Sequence, residues 1–273
     1  MRSNRLTSVI SGLILGAATI IAVFPFYLML VMATRSNQQI ITQFYLLPGN
    51  QVINNAKMVF ESGFLVFYWN SFYVATLSAM FGVFISATAG FALAKYRFRC
   101  NRAIQRFVLI VMSILFGVSI VGFLIEMRTI GWSNTHLPLI VSAMISPYGV
   151  FLITQFAKDG FPDEIMESAR IDGAGEISIF FQFFMPFTRS ACVTLFLLVF
   201  MYSWNNFLTP LVFINDQSMY TIPLGIFALG NQYRQEYGAR LFALALGTIP
   251  ILAIFAFNSK SLIRGLTAGA VKG

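Results

Sequence analysis

Long apolar runs separated by short polar segments dominate the pattern of hydrophobic and polar positions along this chain. A helix crosses the hydrocarbon core of a bilayer with ~20 apolar residues. Six runs approach or exceed that length, and they cover residues 6–33, 70–94, 103–125, 138–157, 191–214 and 237–257. The first run is longer than the core of about 7–15 residues in a cleavable signal peptide, so it predicts a retained span. We therefore expect an all-α, polytopic membrane protein with six transmembrane helices in one domain over residues 1–273.

Composition agrees with a membrane protein and argues against several functions. Hydrophobic residues make up 58% of the chain and charged residues 10%, proportions that a soluble domain of this length does not need. The interiors of the six predicted spans contain no Asp, Glu, Lys or Arg except near their ends. Ionisable groups inside spans mark proton relays, ion sites and other functional positions. Their absence argues against a membrane-embedded enzyme and against a transporter driven by protons or ions.

Basic residues predict the orientation of the spans, because Lys and Arg are enriched in cytoplasmic loops. With the N-terminus inside, thirteen of the eighteen Lys and Arg residues fall on the inner side. The five on the outer side are Arg35, Lys57, Arg128, Arg234 and Arg240. Both termini are then cytoplasmic, and so are Cys100 and Cys192, which fits unpaired thiols in a reducing compartment. The single histidine, His136, has no Cys, Asp or Glu within motif spacing, so we expect a capping or interfacial role.

Two spans carry features that predict how they pack. In the second span, small residues recur at four-residue steps, namely Ser78, Gly82, Ser86, Gly90 and Ala94. Small residues in one row let another helix approach closely, so we expect this row, the small-residue ridge, to lie in the middle of the bundle. In the fourth span, Pro147 removes one helical hydrogen bond, which predicts a kink, with a hinge as the alternative.

The segment between the fourth and fifth spans, residues 158–190, holds six of the ten carboxylates. Pro162 followed by two acidic residues predicts a helix start, because proline suits the first helical position and acids favour the helix dipole. This helix can extend only to about Ile171, since an Asp-Gly-Ala-Gly turn signal follows, in which we expect Gly173 to need a positive φ. A second short helix from Glu176 to Pro186 has a face that suits the membrane surface. Both helices are too short to be stable alone, so the segment has the character of a docking element.

The same segment carries a recognisable motif. Glu167-Ser168-Ala169 is followed six residues after Glu167 by Gly173, and then by Phe183-Phe184-Met185-Pro186. This resembles the EAA loop of ABC-importer permeases, E-A-A-x-x-x-G, nine residues and I-x-L-P, with the spacing intact. In that family the loop is the cytoplasmic coupling helix that fits a cleft on the ATPase subunit. The resemblance implies that the residues coupling to the ATPase are Glu167, Ser168, Ala169, Arg170, Asp172 and Gly173. The alternative is an ordinary amphipathic connector between spans.

Further stretches extend the resemblance over most of the chain. They are Asn70-Ser71, Asn134-Thr135 and residues 204–211, 221–225 and 263–273. They look like the sugar-importer branch of the family, and within it the MalG-like half of the permease pair. The resemblance implies a bacterial inner-membrane complex with a homologous second permease, two cytoplasmic ATPase subunits, an extracytoplasmic solute-binding protein and a sugar substrate. It also implies no enzymatic activity and no cofactor in this chain. ATP is bound by the partner, in agreement with the lack of a GxxxxGK[ST] sequence here.

A polar group in the fifth span is the candidate for contact with substrate. Ser203, Asn205 and Asn206 flank Trp204 in the last third of that predicted helix. The two asparagines are ~100° apart on a helix, so only one of them can face a given cavity. The alternative is helix-end capping together with an aromatic belt residue, Trp204. As an alternative function, asparagine and serine could bind a neutral solute in a secondary transporter that uses neither ions nor protons.

Overall fold

The computed structural model describes residues 3–113, 116–229 and 236–268, whose regular structure is entirely helical. In chain order the α-helices are α1 (Ser3–Met32), α2 (Asn37–Thr42), α3 (Val52–Glu61), α4 (Phe64–Lys95), α5 (Asn101–Met112), α6 (Phe116–Thr129), α7 (Leu137–Met144), α8 (Pro147–Gly160), α9 (Asp163–Ile171), α10 (Glu176–Ser178), α11 (Met185–Phe187), α12 (Arg189–Trp204), α13 (Leu208–Phe213), α14 (Ile222–Ala228) and α15 (Tyr237–Ala268). A π-helical segment, Ile179–Phe184, joins α10 to α11, and a 3₁₀ turn, Gln217–Met219, precedes α14. The predicted all-α fold is confirmed.

Four helical segments among the described residues are long and apolar enough to cross a membrane. They are Ser8–Met32, Phe64–Lys95, Leu137–Gly160 and Tyr237–Ala256. A fifth crossing is obtained if the helices Glu176–Phe187 and Arg189–Trp204 count as one span, although the chain bends by 79° between them. The predicted third span, 103–125, runs through residues 114 and 115, which lie outside the described residues. The number of six spans therefore stays a prediction.

The chain divides into two compact units, and the first contains Met1–Leu65 and Gly225–Ile249. Its polar segment after α1 is folded back by Arg35, whose guanidinium donates to the Leu47 carbonyl (2.7 Å) and lies 3.9 Å from the centre of the Tyr45 ring. Asn55 is buried and donates to the carbonyls of Ala33 (2.8 Å) and Arg35 (3.0 Å). These bonds satisfy carbonyl groups beyond the end of α1 and give the segment a defined path.

The second unit contains Val66–Leu224 and Pro250–Gly273, and the small-residue ridge of α4 lies in it. A Cβ atom at Gly90 would lie 2.7 Å from Ile153 Cγ2, and one at Gly82 would lie 3.3 Å from the Met144 carbonyl oxygen. From the other side, a Cβ at Gly149 would lie 2.5 Å from Ser86 Oγ. The close packing predicted for this row is confirmed, and its partners are α7, α8 and α12 of the same chain.

The predicted kink at Pro147 is a complete break between α7 and α8. Ile145 and Ser146 are extended, with ψ of 95° and 96°, because the residue before a proline avoids the α region. The Ser146 hydroxyl accepts a hydrogen bond from the Gly149 amide (3.0 Å) and caps α8. The break therefore has its own local hydrogen bonding, as non-helical backbone at membrane depth requires.

His136 has the structural role that its isolation in the sequence predicts. Its Nε2 bonds the Met219 carbonyl (2.7 Å), so that nitrogen is the donor, and Nδ1 accepts from the Tyr73 hydroxyl. Nearby, Asn70 donates to the Ser218 and Tyr220 carbonyls (2.9 and 3.0 Å). These polar side chains attach the start of α4 to the segment before α14. No group of three His, Cys, Asp or Glu that could hold a metal occurs within the described ranges.

Candidate functional site

Two short helices joined by a tight corner form the segment that the sequence marks as a docking element. We call residues 162–187 the docking knuckle; its first arm is α9 and its second arm is the continuous helix Glu176–Phe187. The second arm starts at Glu176, as the sequence predicts, whereas the first arm starts at Asp163, one residue later than expected. Pro162 is therefore the residue before the first helical position, with φ −67° and ψ 141°. The second arm passes through Pro186 and ends one residue beyond it.

Gly173 closes the corner of the knuckle. Its φ is +83°, the left-handed conformation that the sequence predicts. Its amide donates to the Arg170 carbonyl (3.0 Å), and the next amide, of Ala174, donates to the Ala169 carbonyl (2.9 Å). These two bonds form a Schellman motif, which ends helices at a glycine because a side chain disfavours positive φ. The angle between the arms is therefore set by local backbone chemistry.

An aromatic cluster attaches the knuckle to the rest of the second unit. Phe184, in the π-helical part of the second arm, is fully buried, and its ring centre lies 4.6 Å from Phe91 of α4 and 5.6 Å from Phe161. Phe180 lies 5.6 Å from Phe91. The first arm buries Met166 and Ala169, on the apolar stripe that the sequence predicts. The knuckle thus has one buried apolar face and one exposed face.

Polar contacts reinforce this attachment at the end of α4. Lys95, whose side chain is only 5% exposed, bonds Asp163 at 2.7 Å and also the Phe161 carbonyl. Tyr96 donates its hydroxyl to Glu176, which also accepts from Arg170 Nε at 2.9 Å. Burial, followed by the bond to Glu176, raises the pKa of Tyr96 to about 12. The donors Arg170 and Tyr96 lower the pKa of Glu176, so this carboxylate is ionised at neutral pH.

The exposed face of the knuckle contains most of the predicted coupling residues. Glu167, Ser168, Arg170, Asp172 and Gly173 are exposed, whereas Ala169 is buried against the chain itself. Two large apolar side chains flank the corner, Ile171 at 86% exposure and Ile177 at 76%. Exposed apolar surface rimmed by polar residues can mark an interaction site, so these two isoleucines with the charged residues around them are a candidate contact for a partner. The sequence pattern missed both, because they lie off the apolar stripe; their position beside the glycine turn was the available signal.

The candidate substrate residues lie where the predicted fifth span breaks. The chain leaves α12 at Trp204 and starts α13 at Leu208, beside a groove of ≈ 570 Å³. The groove is lined by Met201, Tyr202, Asn205, Asn206, Phe207, Leu208 and Thr209. Asn206, one residue before the N-cap Phe207 of α13, accepts a hydrogen bond from the Thr209 amide (3.1 Å) and donates one to the Thr209 hydroxyl (3.0 Å). Asn205 is exposed and donates to the Met201 carbonyl (2.8 Å), and Ser203 is not among the lining residues.

Comparison with known proteins identifies the family of this chain. The model of the family described as the binding-protein-dependent transport system inner membrane component matches residues 82–267. The chain belongs to this family, which consists of transport permeases and not of enzymes. It is a multi-pass membrane protein.

Two relatives match over nearly the whole chain. The arabinooligosaccharides transport system permease protein AraQ of Halalkalibacterium halodurans is 31% identical over 93% of this chain and 92% of its own length. The lactose transport system permease protein LacG of Rhizobium radiobacter is 27% identical over 98% of each chain. A solved bacterial ABC transporter involved in the import of the acidic polysaccharide alginate has a chain of the same fold. Its TM-score is 0.80 at 17% identity, over 95% of this chain and 98% of that one.

Proposed function

We propose that this chain is the permease subunit of an ATP-driven importer for a carbohydrate. It forms half of the translocation pathway with a homologous second permease, and it works with two ATPase subunits and an extracytoplasmic solute-binding protein. The docking knuckle carries the proposal, because it presents an exposed apolar pair at a rigid corner. The names of the relatives, which refer to arabinooligosaccharides and lactose, support a sugar as substrate. ATP is bound by the partner ATPase, and this chain needs no cofactor.

The knuckle binds the ATPase through its exposed face. Burying Ile171 and Ile177 in a cleft contributes about 1.5–3 kcal/mol for each side chain. Glu167 and Asp172, which are also exposed, lie before and between these isoleucines in the chain and select a cleft with complementary charge. Closure of the ATPase dimer on ATP then moves the knuckle as one body, and the spans attached to it change from inward-open to outward-open.

The groove at the end of α12 contributes to the substrate pathway. Asn205 is the asparagine that we assign to it, because it is exposed, whereas Asn206 is half-buried and bonds Thr209 through both its amide oxygen and its amide nitrogen. An exposed amide beside Tyr202 and Phe207 combines a hydrogen-bonding group with aromatic surface, the combination that suits the hydroxyl edge and apolar face of a sugar ring. Ser203 is a weaker candidate, since it lies on the same turn without lining the groove.

The chain lies in the bacterial inner membrane with both termini in the cytoplasm, as its basic residues indicate. Cys100 is exposed and should therefore resist a membrane-impermeant maleimide in intact cells and react after permeabilisation. Cys192 is buried and should react only after denaturation. As a control, Ile53→Cys in a Cys100→Ser background, at a position 80% exposed, should label from outside. Labelling of Cys100 in intact cells would overturn the orientation.

Reconstitution tests the importer function against the alternative of a secondary transporter. The substrate used is the sugar identified on the solute-binding protein that co-purifies with the complex from native membranes. Uptake of that sugar into proteoliposomes should require ATP and should persist when ionophores collapse ion gradients. The chain reconstituted alone should be inactive. Transport by the chain without any ATPase would favour the secondary transporter.

A further inference from the structure

Two consecutive residues at the end of α4 each contact a different arm of the docking knuckle. Lys95 bonds Asp163, the first residue of α9, and Tyr96 bonds Glu176, the first residue of the second arm. These partners are 68 and 80 positions away in the sequence. Because both arms are held at their N-terminal residues, the contacts constrain the orientation of the knuckle relative to α4.

Glu176 is the point at which three elements meet. It accepts from Tyr96 beyond α4 and from Arg170 in α9, and it begins the second arm itself. Tyr96 is held in turn by its ring, which packs edge-on against Phe91 at 5.4 Å between ring centres. A single carboxylate therefore connects the end of α4 to both arms of the knuckle.

The aromatic cluster and the polar contacts have different effects on the knuckle: the first attaches it, and the second orient it. Apolar burial is non-directional, so the cluster attaches the knuckle without fixing its rotation about the cluster. Hydrogen bonds are directional and weaken steeply when bent, so the contacts to Glu176 and Asp163 define one orientation.

We propose that Tyr96 is a positioning residue for energy coupling, whose hydroxyl on Glu176 holds the docking knuckle to the end of α4 so that movement of the knuckle moves that helix. This inference rests on the proposed function, because it requires the knuckle to move with an ATPase. Tyr96 itself contacts neither ATP nor substrate. Its removal therefore affects the yield of transport for each ATP, and leaves the binding of the ATPase unchanged.

The test compares Tyr96→Phe, Glu176→Gln and the double variant in the reconstituted complex. Tyr96→Phe removes one oxygen and keeps the ring on Phe91, and the hydrogen bond that is lost is exposed to solvent, so folding should be unaffected. We expect bound ATPase and basal hydrolysis at wild-type levels, with sugar taken up per ATP hydrolysed reduced at least threefold. Tyr237→Phe, at an exposed tyrosine of α15, is the matched control and should behave as wild type.

A double-mutant cycle separates a shared contact from two independent effects. If Tyr96 and Glu176 act through one hydrogen bond, the double variant should be no worse than the more affected single variant. An unchanged ratio of uptake to hydrolysis in Tyr96→Phe, or fully multiplicative losses in the double variant, would overturn the positioning role. Wild-type protein that shows no ATP-driven uptake would instead overturn the proposed function, so the two failures are distinguishable.

Discussion

Glu167→Lys and Gly173→Asp should each abolish ATP-driven uptake while the chain still inserts into the membrane. Glu167 is exposed on the face of the knuckle that carries Ile171. Reversing its charge leaves the helix intact and changes the charge that the knuckle presents to the ATPase.

Gly173 has φ +83°, and no atom lies within 4 Å of the position of a Cβ there. Substitution of Gly173 therefore destabilises this backbone conformation by about 1–2 kcal/mol, because a side chain disfavours positive φ. It does not create a clash inside the chain.

Matched controls distinguish these causes. Gly175→Asp places the same carboxylate two residues away, at φ −73° and at the N-cap of α10, where aspartate is favoured. It should retain ATPase binding, as should Glu167→Gln, which removes the charge without reversing it. Uptake and co-purified ATPase are measured at equal membrane levels of each variant. Normal uptake with ATPase bound in both Glu167→Lys and Gly173→Asp would show that the knuckle is only a connector between spans.

Gly90→Leu should prevent accumulation of folded protein. A Cβ at this position already lies 2.7 Å from Ile153 Cγ2 and 3.1 Å from the Thr154 amide nitrogen, so α4 and α8 must separate. Overpacking of this kind costs about 1–3 kcal/mol, and a leucine on the ridge is at the upper end. Gly82→Leu should be milder, since its nearest atom is at 3.3 Å.

Gly122→Leu is the matched control for the ridge, because no atom lies within 4 Å of a Cβ at Gly122. The measurement is the monodisperse fraction in size-exclusion chromatography after mild detergent extraction, together with the melting temperature. Wild-type values for Gly90→Leu would show that α4 and α8 do not pack at this distance in the membrane.

Local sequence signals predicted the parts of the structure that depend on neighbouring residues. The corner of the knuckle is an example, since Asp-Gly-Ala-Gly and the need for positive φ act within a few residues. The break at Pro147 was located correctly, but its extent was not, because it depends on Ile145 and Ser146 leaving the helix together. The sequence left the role of Asn206 open, since asparagine is suited both to a helix end and to a substrate pathway. Which role applies depends on where the helix ends.

The attachment of the knuckle could not be predicted from sequence. Tyr96 and Glu176 are far apart in the chain, and no periodic pattern relates them. The exposed isoleucines of the corner were missed because they lie off the apolar stripe, and their exposure depends on how the knuckle packs against α4. Local patterns specify the elements, whereas side-chain partners depend on the packing of distant segments.

The most direct test of the docking knuckle is photo-cross-linking from position 171 in native membranes. Ile171 is replaced by a benzophenone amino acid, and the control carries the same group at Ile53, which is also highly exposed. We predict an ATPase adduct from position 171 and none from position 53, with the yield from position 171 reduced by Glu167→Lys. Adducts from position 171 that contain only lipid, or an equal ATPase adduct from position 53, would contradict the coupling role of the knuckle.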